Sequence, residues 1–174
     1  MIIIFSGFLL RIALSIYNVD ISVLPGADAD AGWFHREALR YSEYLDQKQL
    51  LPEYTWLYDV GWSYSVFLGY LYNFFSTDSM YFSGLLSCFV WFLSALVFRK
   101  IMLKIKYKKK DIISAIIIYS FLIPTSIIYT AITLREVYML LFINVLALSI
   151  INICYQTEIK KIFFNIIIIL FTSF

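Results

Sequence analysis

Long apolar blocks alternate with short polar ones along this chain, and the alternation sets the predicted elements. Ile2 to Tyr17 is apolar apart from Ser6, Arg11 and Ser15. A membrane span needs about 20 residues at 1.5 Å each, so this block, with Asn18 and some tilt, just crosses a bilayer. Similar blocks predict further spans over 79–98, 112–131 and 137–155, that over 112–131 softened by Pro124, a residue that membrane helices tolerate. A fifth block, 162–174, holds about 13 residues and is too short to cross. The chain therefore reads as a piece of a longer membrane protein, or as one that needs a partner. The predicted class is all-α, a polytopic transmembrane helix bundle forming a single membrane domain over 1–174.

Between the first two spans the pattern changes. The loop 19–61 carries Asp20, Asp28, Asp30, Glu37, Glu43, Asp46, Glu53 and Asp59 against Arg36, Arg40 and Lys48. Phe34, Ala38, Tyr41 and Leu45 recur at helical spacing while Arg36, Arg40, Glu43 and Lys48 fall on other faces, predicting an amphipathic helix over about 31–48 that lies along the membrane. Gly61 to Phe75 is apolar and aromatic, yet as a helix it reaches only about 23 Å against a hydrocarbon core of about 30 Å. It predicts a juxtamembrane helix over 62–76 that does not span.

Charge decides the orientation. Arg99, Lys100, Lys104, Lys106, Lys108, Lys109 and Lys110 follow the second span, and Lys160 and Lys161 follow the fourth; the positive-inside rule puts both groups in the cytoplasm. The N-terminus is then cytoplasmic, while the acidic loop and 62–76 stay on the non-cytoplasmic face. The alternative, in which 61–75 spans, puts the acidic loop inside.

The whole composition agrees with a membrane protein: 61% of the 174 residues are hydrophobic and 20% aromatic, and the mean hydropathy is +0.80. A net charge of +2 says little, because the charges are sorted rather than mixed. Nucleic-acid binding is not expected of lysines pinned to a bilayer; contact with anionic lipid heads is. Cys88 and Cys154 sit alone in apolar runs and read as core or lipid-facing residues. Met1 to Tyr17 lacks the basic start and small-residue cleavage site of a removed signal.

Candidate chemistry gathers on the non-cytoplasmic face. Asp28-Ala29-Asp30 is a pair of carboxylates able to share a divalent cation, Mg2+ or Mn2+, since hard cations prefer oxygen ligands. Near a helix start such a carboxylate stays ionised and can bind metal or accept a proton from an attacking hydroxyl. The plain alternative is that one of the two only caps the helix. His35 is an interfacial polar residue or a proton partner. Arg135 and Glu136 either pair with each other at a helix end, or Arg135 holds a lipid phosphate, to which its fork is suited. Arg11 inside a span either snorkels or has a functional partner in the bundle. Tyr54, Trp56, Tyr58, Trp62 and Tyr64 form an aromatic belt or a sugar-stacking surface.

These features resemble the polytopic glycosyltransferases of the type C superfold, in particular bacterial relatives of the dolichyl-phosphate-mannose protein mannosyltransferases. The likeness rests on Arg11 in the first span, on Asp30…Phe34…Ala38 after a short outer loop, on Gly61 to Tyr72 as the juxtamembrane segment, and on Pro124-Thr125-Ser126 and Leu134-Arg135-Glu136 as a later outward turn. It departs from the family at Ala31, where a second acid is usual, and at Ser63, where a proline is usual. The resemblance implies Asp30 as the catalytic carboxylate with Asp28 in support, and Arg135, Glu136, His35 and Arg11 toward substrate. It further implies a multi-pass protein of the bacterial inner membrane that performs inverting transfer of a sugar from a polyprenyl-phosphate donor to a glycan, lipid or protein acceptor at the non-cytoplasmic face. Two rivals stand beside it: a transporter, flippase or non-catalytic membrane subunit, and a sugar polymerase of the same superfold.

Overall fold

The structure, a computed structural model, describes residues 1–25, 27, 30–46, 62–105 and 107–155. Among these the chain is all-helical. Helix α1 is Ile2–Asp20, α2 Asp30–Asp46, α3 Trp62–Phe75 and α4 Met80–Lys104; α5 (Lys109–Ile117) runs into a π-turn (Ile118–Leu122), followed by α6 (Pro124–Tyr129) and α7 (Glu136–Tyr155). Three helices, α1, α4 and α7, are long and apolar enough to cross a membrane. The predicted fifth span, 162–174, lies outside the described residues. At 14 residues, α3 reaches about 21 Å, short of a hydrocarbon core.

The expected span over 112–131 is not one helix. Proline lacks an N–H and pushes the residue before it out of the helical region. Ile123, just before Pro124, accordingly sits at φ −111° and ψ 92°. The helix ahead of this break widens into the π-turn, a form often found at functional positions.

Contacts divide the chain into two compact units. The first comprises Met1–Leu10, Phe89–Ile127 and the stretch beginning at Glu136. Its core is Ile4, Val90, Trp91, Ala95, Ile116 and Val137. The Phe8 and Phe92 rings meet at 5.1 Å, and Gly7 leaves room for Trp91, whose ring would lie 2.9 Å from an added Cβ. Polar side chains tie these helices together: Asn144 Nδ2 donates to Ser94 Oγ at 2.8 Å and to Tyr119 Oη at 3.0 Å. Apolar burial drives nothing between helices in lipid, so small-residue contacts and hydrogen bonds of this kind hold a membrane bundle.

The second unit comprises Arg11–Cys88 and Ile128–Arg135. Here Arg11, Ser15 and Asn18, spaced i, i+4, i+7 along α1, are all buried, while Ile16 and Tyr17 are exposed. That polar-in, apolar-out arrangement is what a helix facing lipid requires. Tyr81 at the start of α4 hydrogen-bonds Asp20 at the end of α1, and a side chain added at Gly84 would collide with Ser15 Oγ. Numbers fall along one helix as they rise along the other, so α1 and α4 run antiparallel in this unit. Residues 21–79 therefore leave α1 and enter α4 at the same end.

Candidate functional site

The second unit holds most of the residues singled out above, and α2 is its organising element. Asp30 is its first helical residue and is solvent-exposed. Asp28 lies outside the described residues, as do Lys48, Tyr54, Trp56, Tyr58, Asp59 and Gly61. Ala31, Phe34, Ala38 and Tyr41 form the buried face, with Leu45 half-buried. Glu37 is buried as well, its carboxylate accepting from Arg40 Nη1 at 2.7 Å.

This face packs on α3. Phe34 meets Tyr64 edge to face at 5.1 Å, and Tyr41 meets Tyr70 at 5.2 Å. Gly69 allows the helices to touch: a Cβ there would lie 2.7 Å from the Ala38 carbonyl oxygen. His35 reaches across the same contact, its Nδ1 2.7 Å from Tyr72 Oη. Burial is the main cause that lowers the His35 pKa, Asp78 opposing it and Arg36 adding to it. Burial likewise pushes Tyr72 up to about 12, against a hydrogen bond from Ser83 and with help from Asp78. Both groups are uncharged at neutral pH, and His35 is a packed, hydrogen-bonded residue rather than a free base.

A pH dependence follows. The His35 pKa is lowered by folding from its ordinary 6.5, so protonation favours the unfolded chain: its contribution to stability is held above about pH 6.5 and lost as the pH falls through the folded value. Thermal unfolding in detergent should show a lower Tm at pH 5 than at pH 7.5. His35→Gln, which keeps a group able to bond Tyr72, should flatten that difference; an undiminished slope in the variant would assign it to other groups.

The other arginine candidates lie at different places. Arg11 is fully buried, and its Nε donates to Thr130 Oγ1 at 2.7 Å. It does not snorkel. Thr130, Ala131, Ile132, Thr133 and Leu134 are all buried, although the sequence predicts a turn at the outer face. Ser83 and Thr133 hydroxyls meet at 2.6 Å. Irregular backbone is tolerated in a membrane protein where protein encloses it, and this turn meets that condition. Arg135 is half-buried just after it. Glu136, exposed, is the first residue of α7 and belongs to the other unit.

Among the described residues no three His, Cys, Asp or Glu side chains stand close enough to hold a metal ion. The Asp28–Asp30 pair is described at Asp30 alone.

The sequence reading missed two groups of residues. One is the hydroxyl seam of Ser15, Ser83, Ser87, Thr130 and Thr133; the recurrence of polar residues at 11, 15 and 18 and at 83 and 87 was its signal. The other lies where α3 ends. Ser76 N–H bonds the Asn73 carbonyl at 3.2 Å and Thr77 N–H the Tyr72 carbonyl at 3.0 Å, a glycine-type helix stop closed by a serine at φ 49°. No family model, curated protein or solved structure matches this chain.

Proposed function

We propose that this chain is a membrane glycosyltransferase, or the N-terminal portion of one, of the type C superfold. It transfers a sugar from a polyprenyl-phosphate-linked donor to a glycan, lipid or protein acceptor at the non-cytoplasmic face. The observation that supports this reading is the antiparallel run of α1 and α4, with Tyr81 on Asp20: the connection carrying α2, α3 and the exposed Asp30 begins and ends at one end of these two helices. The basic residues Arg99, Lys100 and Lys104 occupy the other end of α4, which the positive-inside rule assigns to the cytoplasm.

In the proposed reaction the acceptor hydroxyl oxygen attacks the anomeric carbon as the bond from that carbon to the phosphate oxygen breaks. The polyprenyl phosphate leaves with the electron pair. Asp30, as a carboxylate on a helix start, takes the hydroxyl proton or orients the nucleophile. Arg135 is the candidate partner for the phosphate. Asp28 and Asp30 are the residues that would hold a divalent cation, which would supply neutralisation of the donor's negative charge.

A second reading, a transporter or flippase, draws on a different observation. Its members use interrupted helices, and the segment over Lys109–Tyr129 is interrupted by a π-turn and an extended residue.

Transfer of labelled sugar from a polyprenyl-phosphate donor, assayed in membranes carrying the chain, separates the two. Asp30→Asn should abolish transfer at unchanged expression, with Asp28→Asn weakening it, and a chelator arm reads the need for Mg2+ or Mn2+. Transfer untouched by both substitutions would reduce the pair to a helix cap and favour the transporter.

A further inference from the structure

At the far end of α2 from Asp30, a cavity of about 390 Å³ opens between α2, α3 and the turn that follows α3. We propose that this cavity is a binding site for a hydroxyl-rich sugar ring that carries no negative charge. Its volume falls in the range of small-molecule sites. From α2 it is lined by Ser42, Glu43 and Asp46, from α3 by Tyr72 and Asn73, and from the turn by Asp78.

The chemistry of the lining excludes most ligand classes. Among the described residues three carboxylates and no lysine or arginine line it, so a phosphate or other anion meets repulsion from these groups. An apolar ligand would strip water from those carboxylates without replacing their hydrogen bonds. Among the described residues no three acidic groups converge on one point, so the carboxylates surround a volume instead of gripping an ion. What satisfies several separated acceptors at once is a ring with several hydroxyl donors, and an ammonium substituent on that ring adds to the attraction.

The site also has a fixed wall. Asn73 Nδ2 donates to Asp46 Oδ1 at 2.5 Å, which links the two helices beside the cavity and orients the remaining acceptor positions of both side chains. Behind them Tyr72 is held through its bond to His35. Holding the polar groups before the ligand arrives lowers the entropy cost of binding.

Leu39, the lining residue of α2 nearest Asp30, lies about 13.5 Å along the helix from it, and Asp46 about 24 Å. The cavity is therefore too far from Asp30 to hold the sugar being transferred, and it holds a distant ring of an extended acceptor glycan. Only that last assignment rests on the transferase reading.

The test is a titration of the full chain in detergent micelles, followed by saturation-transfer NMR, with glucosamine, a glucose disaccharide and glucose 1-phosphate as probes. Saturable binding should rank glucosamine above the disaccharide, with glucose 1-phosphate weakest. Ser42→Trp, which fills the space, should weaken binding tenfold or more, and Glu43→Gln, at an exposed position that leaves the fold intact, should remove the preference for glucosamine. Asp30→Asn should leave binding unchanged even where it abolishes transfer. Absence of saturable binding, equal binding of glucose 1-phosphate, or binding insensitive to both cavity variants would overturn the proposal, whatever the transfer assay gives.

Discussion

Arg11→Ala should destabilise the second unit by about 2–5 kcal/mol, the range for truncating a large side chain in a packed position. The guanidinium is wholly enclosed and its Nε donates to Thr130 Oγ1 at 2.7 Å. Truncation removes a large side chain from a packed position and leaves the Thr130 hydroxyl without that donor, so cavity and desolvation costs add. The comparison that isolates the cause is Arg11→Met. It fills most of the volume and carries no charge, and apolar replacement of buried ionic groups is often neutral, so it should recover a large part of the loss. Unfolding in mixed micelles with increasing denaturing detergent reads both variants. Equal stability of Arg11→Ala and wild type would mean that the guanidinium contributes nothing to the packing of α1.

Gly69→Ala should cost about 1–3 kcal/mol, the usual penalty for overpacking a closed contact. The added Cβ would lie 2.7 Å from the Ala38 carbonyl oxygen and 3.0 Å from both Cβ and Cδ1 of Tyr41. Backbone in a helix cannot step aside alone, so α2 must lift from α3. The nearby control is Gly32→Ala, where the Cβ meets only the end of the Arg36 side chain at 3.4 Å. Alanine is a better helix former than glycine, so this change should leave stability level or slightly raised. Near-UV circular dichroism follows the same contact through Tyr41, Tyr64, Tyr70 and Tyr72. If Gly69→Ala kept the wild-type spectrum and Tm, the close approach of the two helices would not be part of the native fold.

Unbroken apolar blocks made α1, α4 and α7 legible as helices able to span, and periodicity the buried face of α2, because Phe34, Ala38 and Tyr41 repeat at the spacing that a helix presents to one neighbour. Hydropathy alone did not locate the break before Pro124. A window average treats Ile118 to Ile123 as uniformly favourable to a span, whereas the backbone responds to the missing proline N–H and to the ring's clash with the preceding residue. The partners of charged residues were hidden for another reason. Arg11 bonds a threonine 119 positions away, and no local spacing encodes that pairing. Glu37 counts in the sequence only as one acid of a polar loop, yet it is buried with its own salt-bridge partner three residues on. The sugar cavity takes its walls from the end of α2, the end of α3 and the turn after it. Each of these stretches reads by itself as an ordinary polar helix end.

The bond from Arg11 to Thr130 also sets an order of events during synthesis. A helix centre bearing arginine inserts at a cost of about 2.5–3.5 kcal/mol on the biological scale. Translation at roughly 5–20 residues per second needs about 6–24 s to make the 119 residues between donor and acceptor. For that interval the first helix exists without its threonine partner. The growing chain therefore completes α1 to α6 before the contact between Arg11 and Thr130 can close, and a ribosome stalled ahead of Thr130 should leave α1 accessible to extraction.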